Sequence, residues 1–460
     1  MAQTKIPAVY GFHPPCWSVG RIQERKQSQE EDRQRRLAEK PAEFCTYEDS
    51  SSEEKSEIAL KEAVNTSYNF VDYVKHRETQ TSIYSSVSKE YGHRHILTHG
   101  GLFEHTQIDL GHDMKKVLCS QWLSDRLILF GTKCNKLMIY DVQNHEINQI
   151  PSIVSSVRRE IEDDEQTGGI YSVQLNPSKT LLATVAENNS EVAVYKIPTF
   201  DPVCVGENAH INRVDDICWL DDQFLVSGDT ELALWRVTDD ILDAEDEVAA
   251  HKTILPVSLE YFHNSEKIRA IKFNKSNREI ATLNENHGTI VIWDAEKFQK
   301  KMARKFSHGN NTCMTLNEND NIYAIGNRNL SALLDCRTLQ IIKKIPPIDY
   351  YGFHLFLRSA SFTGDILTLG LDLGKILFFD LKAGKFLESS VIPDRTIRLK
   401  ATKGYVFPDV DILRNDEHSE VKYGPAIMTH CYNSSGTRLF IAGGPNFLPN
   451  FTGNYAGLFQ

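Results

Sequence analysis

The chain has 460 residues, 41% of them hydrophobic, which is enough to bury one large all-β domain or two ordinary ones. Its formal net charge of −11 excludes broad, non-specific binding to nucleic acid, which needs a basic surface to displace counterions. No apolar run approaches the roughly 20 residues of a membrane span, and the opening MAQTKIPAVYGFHPP lacks the basic end and apolar core of a signal peptide.

The chain is therefore expected in the cytoplasm and nucleus, with neither nucleic acid nor membrane as a partner. Its nine cysteines, without a C-x-x-C pair, describe neither a disulfide framework nor a structural zinc site. They are expected to be reduced and mostly buried, as Cys218 in DDICWL would be, and no metal or cofactor is implied. The sequons at Asn274, Asn433 and Asn450 are then chance matches.

In chain order, residues 17 to about 62 (SVGRIQERKQSQEEDRQRRLAEK, then EDSSSEEKSE) carry few apolar residues and much mixed charge. Such a segment cannot bury enough surface to fold alone, which predicts a disordered tail over residues 1–66. Its RQRR run at Arg33 to Arg36 has the composition of a nuclear import signal but is short and interrupted by glutamates, which favours a solvated tail. Residues 67–89 differ. In SYNFVDYVKHRE, Phe70, Val71, Tyr73 and Val74 form a narrow helical stripe with charges opposite, predicting a short amphipathic helix that would pack against its own chain.

From residue 114 a unit recurs at roughly 40-residue spacing: an alternating strand, a polar turn, a second strand, a tight turn and a third strand. The third strands read LMIYDV, VAVYKI, LALWRV, IVIWDA, SALLDC, ILFFDL and YAGLFQ. About seven such units predict an all-β fold, a seven-bladed propeller of the WD40 type, over residues 90–460. The third unit is the clearest, with His210, Ser227, Asp229 and Trp235 where such repeats place a buried hydrogen-bonded tetrad. The last unit stops at its third strand, which would leave an open edge. The stretch HRHILTHGGLFEHTQIDL, read as extended, is the expected donor of the strand that closes the ring. Long inserts at 151–166, 239–265 and 393–423 are expected to be extra loops.

Propeller topology converts sequence position into geometry. Lys116, Arg213 and Lys267 precede innermost strands at equivalent positions, Arg269 and Arg358 stand two residues further on in their units, and Lys133 lies in a turn between second and third strands. All six are expected around the channel mouth on one face, with Asp215 at the position matching Arg269. Converging cations at a concave mouth attract an anion whatever the total charge. Singly, each is more simply a solvated side chain whose stem covers apolar neighbours. A carboxylate or a phosphate fits such a mouth, and a chain terminus or acidic side chain could enter it where a duplex could not. No G-x-S-x-G, H-E-x-x-H or phosphate-loop pattern occurs, and His430 and Cys431 would face opposite sides of a strand. No catalytic residues are assigned, and the chain is expected not to be an enzyme.

The segments SQWL, GTKCN, LNPSKTLLAT, PTFDPVCVG, VTDDIL, THCYNSSGTRLFIAGGP and GNYAGLFQ carry a family resemblance that covers most of the chain from about residue 68. The chain resembles the WD-repeat substrate receptors of cullin-4 RING ubiquitin ligases, specifically the twelfth family of factors associated with the DDB1 adaptor and cullin-4. The resemblance implies docking on a DDB1-type adaptor, and through it on cullin-4 and its RING partner. The docking elements would be the helical segment YVKHRE, with Tyr73, Lys75 and Arg77, and D-x-R elements after third strands. Asp335 and Arg337 match the first of these. Asp380 and Lys382 stand at the second, where lysine replaces arginine and loses its planar fork. The resemblance also implies substrate proteins with acidic C-termini, notably paired glutamates, held by Lys116, Lys133, Lys267, Arg269 and Arg358, with Arg213 nearby. One family arginine is missing from the third unit, where SGDTEL offers Asp229 instead. The alternative to a ligase subunit is a scaffold that binds acidic or phosphorylated proteins without any ligase.

Overall fold

The computed structural model describes residues 92–99 and 105–460, except 112, 155–167, 239–250, 262–266, 286–287, 307–310, 328–330, 346–355, 393–394, 402–404, 409–424 and 446–450. The tail, the segment 67–89 and the first of the three long inserts beyond Val154 lie outside the described residues.

Seven sheets, antiparallel except for one added strand, follow one another along the chain. Their innermost strands are Val117–Trp122, Gln174–Leu175, Asp216–Trp219, Ile268–Asn274, Asn311–Asn317, Leu357–Thr363 and Ala426–Tyr432, and we number the blades 1 to 7 accordingly. Second and third strands are buried on both faces, as in Leu181–Val185 and Val192–Lys196, because each blade packs between two others. This is why they read as apolar runs while innermost strands alternate. The core is correspondingly divided into inter-blade layers, such as Leu181, Val194, Ile217 and Trp235 between blades 2 and 3.

The ring closes as expected, with a refinement. His105–Gln107 pairs antiparallel with the last strand, Phe451–Phe459, setting His105 opposite Phe459. A second short strand, Tyr405–Pro408, covers the other half of that strand from Asn454 to Phe451. The outer edge of blade 7 is thus assembled from two separate pieces, one of them from the insert at 393–423.

Three further expectations are corrected. Residues 92–99 are helical rather than extended, and this helix, α1, buries Leu97 in the core between blades 6 and 7. Its Arg94 reaches the carboxylate of Asp380, and its buried His93 donates from Nδ1 to Gly436 O (3.0 Å) while meeting Tyr432 edge-on. The inserts are not only loops. Lys252–Ile254 adds a fifth, parallel strand to blade 2, Ser258–Tyr261 is the outer strand of blade 3, and Arg398–Lys400 pairs with the third strand of blade 6.

The tetrad of blade 3 is a triad. His210 Nε2 lies 2.6 Å from Ser227 Oγ, and Trp235 Nε1 donates to the same oxygen at 2.8 Å. Asp229 turns instead to Asn212, accepting from its backbone N–H at 3.1 Å and its amide at 3.0 Å. Burial lowers the His210 pKa to about 4, so the imidazole is neutral.

Among the described residues, seven cysteines are all unpaired thiols, no helix is long and apolar enough to cross a membrane, and no cluster of three metal-ligating side chains stands together.

Candidate functional site

One backbone device recurs around the channel. In blades 1, 4, 5, 6 and 7 the register between first and second strands skips one residue near the start of the innermost strand. A bulge leaves the extra residue unpaired and re-aims its side chain. The skipped residues are Leu118, Arg269, Thr312, Arg358 and Met428, and all five line a channel cavity of about 450 Å³. In blades 2 and 3 the strand starts later, and the matching positions are Tyr171 and Asp215, which line the same cavity.

Five of the six expected cations line this cavity: Lys116, Lys133, Arg213, Arg269 and Arg358. The sixth, Lys267, meets it through Asp215, its ammonium 2.7 Å from Oδ2. Asp215 has a fully buried side chain under three cations, since Arg213 donates to its Oδ1 at 3.0 Å and Arg269 stands 3.6 Å away. Arg358 grips a second fully buried carboxylate, Asp372, at 2.8 and 3.3 Å. Burial by itself would lower the pKa of Arg213, but Asp215, with help from Tyr171 and Glu285, more than offsets it and the net shift is upward.

The lysines are held differently. Lys116 donates to Pro445 O at 3.2 Å and Lys133 to Gly168 O at 2.8 Å. Desolvation, and secondly repulsion from Arg358, lowers the pKa of Lys116. A half-buried ammonium that, among the described residues, has a carbonyl for company and a cation beside it is an incomplete ion site.

Sequence reasoning missed Tyr171, whose ring lies under the Arg213 guanidinium (4.1 Å to the centroid), with Arg269 at 5.7 Å and Lys133 at 6.0 Å. It also missed Glu285 on the cavity wall and the layer beneath the cations. There Asp216 accepts from Ser172 Oγ (2.7 Å) and the Ile271 N–H (2.8 Å) and pairs with Lys272 at 3.4 Å. His430, its pKa lowered by burial to about 4, is held between Ser359 Oγ (2.8 Å) and Ser361 Oγ (2.7 Å). Cys431 points the other way, to Ser120, so the two form no dyad. Asp229, being fully buried, does not present a carboxylate to the mouth in place of the absent arginine.

The turns after third strands lie at the other end of the blades. Asp335 Oδ1 accepts the backbone N–H groups of Arg337 (2.8 Å) and Thr338 (2.9 Å), and those bonds, the one from Thr338 first, hold its pKa below the ordinary carboxylate value. Asp141 and Asp294 close their turns in the same way, so the aspartate is explained by the turn and only the arginine is special. Asp380 is buried and bound by Arg94, while the exposed Lys382 pairs with Asp365. Tyr73, Lys75 and Arg77 lie outside the described residues.

Over residues 100–460 the chain matches the family described as the DDB1- and CUL4-associated factor 12 beta propeller. The chain belongs to this family. The basic mouth therefore sits within the domain that defines the DDB1- and CUL4-associated factor 12 propellers. Among solved structures, the chain is similar to U3-55K, at 12% identity and a TM-score of 0.56, covering 78% of this chain and 98% of that one. It is equally similar to the WD40 repeats of RRP9, at 12% identity and a TM-score of 0.56, covering 78% and 97%. At such identity the likeness shows the WD40 fold alone.

Proposed function

We propose that this propeller is a non-catalytic substrate receptor of a cullin-4 RING ubiquitin ligase, and that its basic mouth takes the acidic C-terminus of a substrate protein. Family membership supports the receptor role, and one observation supports the ligand. Seven cations, the six above and Lys272, gather at the mouth against four carboxylates, Asp215, Asp216, Asp372 and Glu285, in a chain of net charge −11. A C-terminus ending in two glutamates brings three carboxylates, which matches the surplus and suits the bidentate habit of arginine. The cavity of about 450 Å³ accommodates a chain end and not a folded surface. The opposite face would meet the DDB1 adaptor through the segment bearing Tyr73, Lys75 and Arg77 and through Arg337. Asp380 and Lys382 would contribute less, because each is already engaged within the chain. A receptor of this kind would work in cytoplasm and nucleus.

The test is binding of fluorescent peptides ending in Glu-Glu, compared with C-terminally amidated and Glu-to-Gln versions at low and moderate salt. Tighter binding of the free Glu-Glu end, weakening with salt, is the expected result. Equal binding of all versions would overturn the C-terminal reading. Peptide capture without any association with the adaptor would favour the ligase-independent scaffold.

Proton linkage gives a second check. The Lys116 pKa is lowered in the free protein, and an arriving carboxylate favours the ammonium and raises it again. Between those two pKa values binding takes up a proton, so affinity should fall as pH rises through the free-state value. Calorimetry at alkaline pH in buffers of differing ionisation enthalpy should show proton uptake that disappears in Lys116→Met.

A further inference from the structure

Tyr171 is the aromatic member of the inward ring, and the backbone fixes it there. The Gly169 N–H donates to Asn189 Oδ1 (3.3 Å) and the Ile170 N–H to Thr132 O (3.0 Å). Gly169 has φ +126°, and a Cβ on it would stand 3.0 Å from the Lys133 Cα, so the close approach of the two segments requires glycine. Ile170 is buried against Gly131, and the next residue, Ser172, is tied to Asp216 at 2.7 Å. The ring is thus set in place before any ligand arrives.

Three cations crowd the ring, which accounts for its face and leaves its hydroxyl unexplained. Among the described residues that hydroxyl has no hydrogen-bond partner, although the side chain lines the cavity. Burial raises its pKa, Arg213 and Arg269 pull it partly back, and the net shift is upward, so at neutral pH the oxygen keeps its proton. Lysine and arginine offer no lone pair, so the surrounding cations cannot accept that proton in a hydrogen bond. An acceptor entering the channel can. The charge of Arg213, Lys267 and Arg269 is meanwhile shared with the buried carboxylate of Asp215, which also repels an incoming carboxylate. A neutral donor at this point strengthens the ligand's hold without adding to that competition.

We infer that Tyr171 is a specificity-determining residue of the mouth: its hydroxyl donates to one particular carboxylate of the acidic C-terminus, between the guanidinium groups of Arg213 and Arg269. This rests on the acidic C-terminus reading above. Tyrosine serving only as a platform for cations is the competing role, and phenylalanine separates the two, because it keeps the ring face and removes the hydroxyl.

The experiment measures wild type, Tyr171→Phe and Tyr171→Ala against four peptides: Glu-Glu with a free terminus, its α-amide, and Gln at either of the last two positions. Tyr171→Phe should weaken the Glu-Glu peptide about 10- to 100-fold, the scale of one hydrogen bond to a charged group. That loss should shrink below about twofold against the one peptide that lacks the paired carboxylate, the signature of direct coupling. Tyr171→Ala should lose more, through the cations as well. Tyr171→Phe binding like wild type, or losing the same factor against all four peptides, overturns the inference while leaving the C-terminal reading intact. A wild-type protein that binds none of the four overturns both.

Discussion

Replacing Lys116 by methionine is expected to lower affinity for a Glu-Glu C-terminus by roughly 10- to 100-fold, the range of a hydrogen bond between charged groups, while leaving Tm unchanged or slightly raised. Methionine keeps the length of the stem, which packs against Gly444, where a Cβ would come within 2.5 Å of the Lys116 Cβ. What it removes is an ammonium whose pKa is lowered by burial and by Arg358, and whose hydrogen bond goes to the Pro445 carbonyl. Removing a partly desolvated charge that meets no carboxylate among the described residues relieves the fold, and the same charge is the one an anionic ligand completes.

Arg358 makes the contrast. Arg358→Met also removes a cation from the mouth, but it deprives the fully buried Asp372 of its guanidinium, and breaking a buried pair costs about 3–5 kcal/mol. Lys267 and Arg269 are intermediate, since Asp215 keeps Arg213 when either is lost. Urea titrations beside peptide binding should therefore separate the variants: Lys116→Met weak in binding and sound in fold, Arg358→Met deficient in both. Loss of stability in Lys116→Met equal to that in Arg358→Met would show that Lys116 is a structural ion and not a vacant half of a ligand pair.

The repeat was legible in the sequence because burial imposes it. Third strands such as LMIYD and TIVIWD are sandwiched between blades and must be apolar, and the aspartates that end them close Asx turns. The mouth cations were legible for the same reason, as topology maps equal offsets onto one ring. Their partners were not. Asp372 follows Arg358 by 14 residues across a hairpin, and Asp380 joins Arg94 across 286 residues, distances at which no local pattern connects charges. Tyr171 was hidden because IYSV reads as ordinary strand core, and only the register shows that blade 2 begins its strand later than its neighbours. Helix α1 was misread because HRHILTH fits a strand as well as a helix over so short a span, and burial of Leu97 between blades 6 and 7 decides it.

Deleting residues 1–110 should abolish folding, whereas deleting 1–91 should leave a propeller that melts cooperatively. The first cut removes His105–Gln107, so half of Phe451–Phe459 loses its outer partner, including the Ile108 N–H to Ala456 O bond of 3.0 Å. It also removes Leu97, Ile108 and Leu110, each at most 5% exposed and packed against blades 1, 6 and 7. Burying each such side chain is worth about 1.5–3 kcal/mol, and three together approach the 5–15 kcal/mol that is the whole net stability of a typical domain. The freed strand edge would then be open to pairing between molecules, so the expected outcome is aggregation rather than a monomer of lower Tm. Leu110→Ala in the full chain is the graded version and should cost about 2–5 kcal/mol. Soluble yield, circular dichroism and thermal melts of the two truncations provide the comparison. A 1–110 deletion that melts as sharply as the 1–91 deletion would mean that Tyr405–Pro408 alone closes blade 7, and that the N-terminal strand rides on a ring already complete.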